Sequence, residues 1–63
     1  MNSMLKSGDL VHIQFEDEQP IIGVIVDFDI DTGQYIVEYY YGNENLIEIK
    51  YISCYPRYCY PIQ

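Results

Sequence analysis

The chain has 63 residues, of which 49% are hydrophobic and 16% aromatic, and its formal net charge is −7. A chain this short has room for one small domain with a thin core, so we expect a single domain over residues 1–63 and no enclosed active-site cavity. Ten acidic residues against three basic ones argue against direct binding to nucleic acid or to an anionic membrane, since both interactions depend on Lys and Arg. The acidity favours a partner protein with a basic surface or a cationic peptide, and it equally suits a protein that only needs to stay soluble.

The two cysteines, Cys54 and Cys59, are too few for a disulfide scaffold. His12 is the only histidine, so the chain lacks the usual ligands of a structural zinc site, and we expect neither a metal nor a cofactor. The sequence leaves the pairing of the cysteines open. Because a bridge would close a very short loop, free thiols in a reducing cytoplasm, or in a host cytoplasm for a viral gene, are the favoured interpretation. No apolar run of about 18 residues and no signal-peptide pattern occurs.

Turn residues divide the chain at the short intervals that are typical of all-β domains. The first strand is predicted to follow Gly8, where apolar and polar residues alternate with a period of two. Its inward residues are predicted to be Val11, Ile13 and Phe15. The charged run 16–20 ends this strand, since its proline cannot donate to a ladder.

Three further strands are predicted over residues 21–29, 34–41 and 46–52, separated by turns at 31–33 and 42–45. Gly23 is expected to ease a bend in the second strand. In the fourth strand Ile47, Ile49 and Tyr51 share one face. The core is placed at about residues 8–53, and the tail 54–63 predicts a tight turn and a short fifth strand. Four or five short strands favour an all-β, five-stranded barrel around one small core.

The order of motifs from Gly8 to Ile52 resembles a Tudor domain and therefore an SH3-like barrel. The strongest match is Tyr41-Gly42-Asn43, because Tudor domains carry a Tyr-Gly-Asn turn between their third and fourth strands. Many Tudor domains hold a methylated lysine or arginine in a cage of aromatic rings through cation–π attraction. The resemblance implies that Phe15, Tyr41 and Asn43 occupy cage positions, with Tyr39 joining them after a one-residue shift.

The tyrosines are the first candidate binding surface. Alternation places Tyr39 and Tyr41 on one face of the third strand and Tyr40 on the other. Eight tyrosines exceed what one small core can bury, so we expect an exposed aromatic patch that binds a partner. The alternative is that the rings pack on the wall of the barrel.

The acidic residues are the second candidate surface. The alternating residues Asp27, Asp29 and Asp31 are expected to share one face and to form a stripe. The run Glu16, Asp17 and Glu18 would extend this stripe. Such a stripe suits a basic partner and can imitate the phosphate spacing of nucleic acid. The alternative is an acidic sheet edge that discourages pairing between sheets.

These features predict a non-catalytic, acidic protein-interaction module. The chain reads as a complete small open reading frame, which favours a stand-alone modulator or inhibitor of phage or prokaryotic origin. Its partner would be a larger protein with a basic surface, including one that binds nucleic acid. Two alternatives stay open: a Tudor-type reader of methylated or arginine-rich peptides, and a structural homo-oligomer assembled through its tyrosines. The oligomeric state is open as well. We do not expect an enzyme, since no nucleophile accompanies a positioned base and no phosphate loop is present.

Overall fold

The computed structural model describes residues 5–62 as five antiparallel strands and a short 3-10 helix. The strands are β1 (Leu10–Ile13), β2 (Ile21–Asp29), β3 (Gln34–Asn43), β4 (Leu46–Cys54) and β5 (Cys59–Pro61), and the 3-10 helix spans Pro56–Tyr58. They form one sheet in the order β4-β3-β2-β1-β5. The all-β prediction is confirmed. The third and fourth strands each run two residues longer than predicted, and β1 ends before Phe15.

The sheet is strongly curled, because a very short connection joins its two edges. β4 and β5 lie at opposite edges, yet only residues 55–58 separate them in sequence. In a flat sheet of five strands the two edges would lie roughly 19 Å apart. The Cα atoms of Cys54 and Cys59, at the facing ends of these strands, are 7.1 Å apart. The sheet therefore wraps around one of its faces, which is compatible with a small barrel-like fold.

The inner face of the curl holds a small apolar core. Its buried residues are Val11, Ile13, Ile25, Tyr35, Val37, Cys54 and Cys59. Burial follows the pleat, as in β1, where Val11 and Ile13 are buried and His12 between them is not. Phe15 lies beyond the end of β1 and packs against this core while half-buried. The inward positions predicted for the first strand are therefore confirmed.

Cys54 and Cys59 are joined by a disulfide, so the favoured interpretation of free thiols is wrong for this structure. Both side chains are buried where the two edges of the sheet meet. The sequence argument weighed only the shortness of the loop, whereas the curl of the sheet brings the end of β4 to the start of β5. The segment predicted as a tail thus supplies part of the core. Because disulfides persist in oxidising compartments, this pairing weighs against the predicted reducing cytoplasm.

The irregularity in β2 lies at Val26 and not at Gly23. The pairing with β3 shifts register between Ile25 and Asp27, which is the signature of a β-bulge. At Gly23, a Cβ atom would lie 2.5 Å from the carbonyl oxygen of Glu38 on β3. Glycine at this position therefore permits the close approach of β2 and β3. The sequence predicts, in contrast, that it eases a bend in β2.

Candidate functional site

The face of the sheet opposite the core is predominantly apolar. Strand register assigns nine apolar or aromatic residues to this outer face: Leu10, Ile22, Val24, Ile36, Tyr40, Ile47, Ile49, Tyr51 and Tyr60. Val24 and Ile36 are half-buried, and the other seven are exposed. An exposed, contiguous apolar surface is uncommon on a small monomeric protein and usually marks a site of interaction.

The β3–β4 hairpin extends beyond the rest of the sheet. Pairing of β2 with β3 ends where Gly23 faces Tyr39, whereas pairing of β3 with β4 continues to Asn43 opposite Leu46. The far part of the hairpin therefore has no third strand beside it, and residues 40–50 are all exposed. The molecule is correspondingly elongated, with extents of 41 × 22 × 22 Å.

Four side chains on the outer face of the hairpin form the candidate site, which we name the hairpin patch. Its members and their exposed fractions are Tyr40 (70%), Ile47 (65%), Ile49 (56%) and Tyr51 (61%). Tyr40 lies directly opposite Ile49 across the strand pair, so their side chains are neighbours. The patch combines two tyrosine rings with two β-branched residues, a composition that suits the anchor of a protein interface.

The predicted binding residue Asn43 holds the turn of the hairpin. Its Oδ1 accepts hydrogen bonds from the backbone N–H groups of Asn45 at 2.9 Å and Leu46 at 3.2 Å. The preceding residue, Gly42, has a φ of 137°, and a Cβ there would collide with the backbone of Leu46. The Tyr-Gly-Asn motif is thus explained locally by the geometry of the turn.

The predicted cage residues are only partly brought together. Tyr39, Tyr40 and Tyr41 line an open groove of about 380 Å³ with residues 19–22. Phe15 does not line this groove, and its ring packs with that of Tyr58 at a centroid distance of 5.5 Å. Phe15 belongs to the periphery of the core because β1 ends two residues before it.

All three basic side chains contact groups of the chain itself. The Nζ atom of Lys50 lies 4.5 Å from the ring centroid of Tyr41, and that of Lys6 lies 3.4 Å from Oδ1 of Asp9. Arg57 contacts the rings of Tyr55 and Tyr58, with its guanidinium carbon 4.8 Å and 4.9 Å from their centroids. Every charged residue of the sequence lies within residues 5–62, so the excess of negative charge is spread over the described surface. The sequence reasoning did not identify these cation–ring contacts.

The predicted acidic residues fall into two separate groups. Asp27 and Asp29 face outward near the end of β2, and Asp31 lies in the following turn. The residues of the other group, 16–18, are exposed in the loop before β2. An extended strand of this length places the two groups roughly 26 Å apart, so they do not form one continuous stripe. β1 pairs with β2 only at residues 21–24, so Asp27 and Asp29 have β3 on one side and no paired strand on the other, which is compatible with the alternative of an acidic sheet edge.

Local hydrogen bonds order both acidic groups. The Oδ1 atoms of Asp27 and Asp29 accept from the backbone N–H groups of Phe28 at 2.8 Å and Asp31 at 3.0 Å. In the other loop, the backbone N–H of Glu18 donates to the carbonyl oxygen of Phe15 at 3.3 Å, and Asp17 adopts a positive φ of 65°. These local contacts define the backbone geometry of both acidic segments. No group of three or more His, Cys, Asp or Glu residues able to hold a metal occurs within residues 5–62.

Among the described residues, Tyr51 and Asp9 have shifted pKa values. The hydroxyl of Tyr51 donates to Oε2 of Glu38 at 3.0 Å, and this bond, with the negative charge of the carboxylate, raises the pKa of Tyr51. The backbone N–H of Lys6 donates to Oδ2 of Asp9 at 2.9 Å, which lowers the pKa of Asp9. The hydrogen bond to Glu38 therefore holds the hydroxyl of Tyr51, a member of the hairpin patch.

Comparison of the chain with protein-family models, curated proteins and solved structures finds no match. In the part of the chain that the structure describes, no helix is both long and apolar enough to cross a membrane. The surface chemistry of the sheet and its hairpin is therefore the basis for assigning a function.

Proposed function

We propose that this protein is a non-catalytic interaction module that binds a basic surface of a larger protein through the hairpin patch and the acidic residues near it. The observation that carries the proposal is the exposure of the patch on a hairpin that extends past the sheet.

We also propose that the fold is an SH3-like, or Tudor-like, barrel. The curl that brings the two edges of the sheet together supports it.

The apolar part of the proposed interface supplies affinity. Burying one exposed Tyr or Ile side chain contributes roughly 1.5–3 kcal/mol before the entropic costs of association are subtracted. Tyr40 and Ile49 lie side by side at the middle of the patch and would be the anchors. Interface energy typically concentrates in a few such residues surrounded by polar groups.

The acidic part of the interface would select the partner and speed its approach. Glu44 lies in the turn of the same hairpin, and the acidic loop 16–18 lies at the same end of the sheet. The nearest basic group, Lys50, is held over Tyr41. A cationic partner therefore meets an apolar centre with a negative rim, an arrangement that raises the association rate and makes it dependent on salt.

Such a module would act by occupying a surface that its partner needs for another purpose. A partner that binds nucleic acid is a suitable candidate, because its functional surface is basic. In that case the protein would be a stand-alone inhibitor or modulator. The cytoplasm remains our proposed location, with the buried disulfide as the observation against it.

Affinity capture with matched variants tests this proposal. The immobilised protein is exposed to a lysate of the source cell, or of its host, and the captured proteins are identified by mass spectrometry at low and high salt. Tyr40→Ser should abolish the capture of a basic protein, and high salt should release that protein from the wild type. Ile30→Ser is the matched control, because Ile30 is 85% exposed and lies in the turn at the other end of β2. Capture that survives both Tyr40→Ser and high salt would contradict the proposal.

A reader of methylated or arginine-rich peptides is the second candidate, and one contact favours it. The ring of Tyr41 already holds a cation, the ammonium of Lys50, beside a groove lined by Tyr39 and Tyr41. A methylated side chain would have to displace Lys50 from this ring. Under this candidate, Tyr41→Ala abolishes binding of a trimethyllysine peptide while Tyr40→Ser preserves it, the reverse of the ranking expected for the hairpin patch.

A further inference from the structure

β4 is an edge strand of the sheet, and only its last residue, Cys54, is bonded to the opposite edge at Cys59. It pairs with β3 on one side, and no strand lies on the other side among the described residues. Natural edge strands are commonly protected by proline, by a bulge, by their shortness or by charged side chains, and on β4 only Glu48 and Lys50 belong to these devices. β4 has nine residues, contains no proline and pairs with β3 in unbroken register from Leu46 to Cys54. Its free backbone N–H and C=O groups are therefore available to another strand.

We propose that β4 pairs with β4 of a second copy of this chain, antiparallel, with Ile49 at the two-fold axis. The two curled sheets would then join edge to edge as an isologous dimer. This inference rests on the backbone edge of β4, whereas the proposed function rests on the outer face of the hairpin, so the failure of one does not decide the other.

The charges on β4 are self-complementary in this register. Ile49 faces Ile49 of the partner subunit, which places Glu48 opposite Lys50 of the partner subunit. The two-fold axis repeats that pair, so two opposite-charge pairs form. Directly opposite residues in an antiparallel pair lie about 5 Å apart, where opposite charges attract and like charges repel.

The apolar residues agree with the same register. Ile47 faces Tyr51 of the partner subunit, and Leu46 faces Ile52 of the partner subunit. Because facing residues share a face of the joined sheet, Ile47, Ile49 and Tyr51 of both copies form one continuous apolar surface.

The neighbouring registers are disfavoured by charge. In an antiparallel pair, directly opposite residues share a face of the sheet. The two nearest registers that keep both outer faces on the same side are therefore those with residue 48 or residue 50 on the two-fold axis. With Glu48 on the axis, two glutamates face each other, and with Lys50 on the axis, two lysines do. Only the register centred on Ile49 pairs Glu48 with Lys50. Repulsion between two chains of net charge −7 is screened beyond about 8 Å at physiological salt, whereas the facing pairs are closer than that distance.

A charge-swap series tests the dimer by sedimentation equilibrium over a range of protein concentrations. The wild type should reach twice the monomer mass. Glu48→Lys and Lys50→Glu each replace two attractive pairs with two repulsive ones, so each should raise the dimer dissociation constant about tenfold or more. The double variant Glu48→Lys with Lys50→Glu restores opposite charges and should restore the dimer. Asp31→Lys is the control for a change of charge away from β4 and should leave the dimer intact.

Two results would overturn the inference. One is a wild type that stays monomeric at the highest attainable concentration. The other is a dimer whose dissociation constant is unaffected by either single reversal. Circular dichroism of each variant confirms that it is folded, and the two single variants keep the test valid should one of them fail to fold. The recovery of the double variant separates a pairing between chains from the contact of Lys50 with Tyr41 inside one chain.

Discussion

Lys50 places its ammonium group over the ring of Tyr41, with Nζ 4.5 Å from the ring centroid. Both residues lie on the exposed hairpin, where a cation–π contact contributes about 0.5–1 kcal/mol. Lys50→Met should lower the free energy of unfolding by about that amount, whereas Lys50→Arg should preserve it, since Arg also stacks on aromatic rings. Urea denaturation at a concentration where the protein is monomeric measures both. Equal stability of the Met and Arg variants would show that the contact contributes nothing.

Gly23 should resist replacement by a residue with a Cβ atom. A Cβ at this position would lie 2.5 Å from the carbonyl oxygen of Glu38 and 2.7 Å from Cγ1 of Val37. We expect Gly23→Ala to lower the free energy of unfolding by roughly 1–3 kcal/mol, because β2 must move away from β3. Gly33→Asn is the control. Gly33 has open space and a φ of 74°, which Asn tolerates. Similar urea midpoints for the two variants would argue against the close approach of β2 and β3.

The disulfide between Cys54 and Cys59 should make stability depend on redox conditions. A bridge across so short a loop stabilises by about 2 kcal/mol on the chain-entropy scale, so a reductant should lower the melting temperature. Alkylation of the unfolded, unreduced protein followed by mass spectrometry should find no free thiol. Two alkylated cysteines in that experiment would show that the thiols are not paired, and the case against a cytoplasmic location would then disappear.

The hydrogen bond from Tyr51 to Glu38 should be visible at high pH. Because the folded state raises the pKa of Tyr51 above its unfolded value near 10, the contribution to stability is complete below that value and is lost as the pH rises through the folded pKa. Glu38→Gln removes the negative charge and should return the pKa of Tyr51 toward its ordinary value. NMR of ring-labelled tyrosine follows the titration, and Tyr51→Phe assigns the signal. An unchanged Tyr51 titration in Glu38→Gln would show that the carboxylate does not act on the hydroxyl.

The sequence predicts the strands well where turn residues mark their ends. β2 has the bounds that were expected, since a proline precedes it and the turn at 31–33 follows it. The pairing of β5 with β1 and the bond between Cys54 and Cys59 were beyond its reach. Both depend on the curl of the whole sheet, which no local pattern specifies.

Alternation predicts which side chains share a face, but it does not say which face is buried. On β4 the apolar set, Ile47, Ile49 and Tyr51, faces outward, and Glu48 and Lys50 lie on the core side of the sheet. Hydrophobicity alone would favour the reverse orientation. The observed orientation is possible because the hairpin extends past the core, so that both faces of the hairpin are exposed at residues 40–50. Because alternation does not say which face is exposed, the sequence indicated the tyrosines as candidates but did not predict the hairpin patch, in which two of them lie beside two isoleucines.

The position of β5 also constrains the order in which this sheet can assemble. β1, β2, β3 and β4 pair with their neighbours in sequence, through loops that close early, whereas β5 must find β1 from the far end of the described chain. Local hairpins therefore form faster than the pairing of β5 with β1. The edge of β1 that pairs with β5 stays unpaired until β5 is in place. A nascent chain would thus hold a sheet with one edge of β1 unpaired until residues 59–61 emerge from the ribosome.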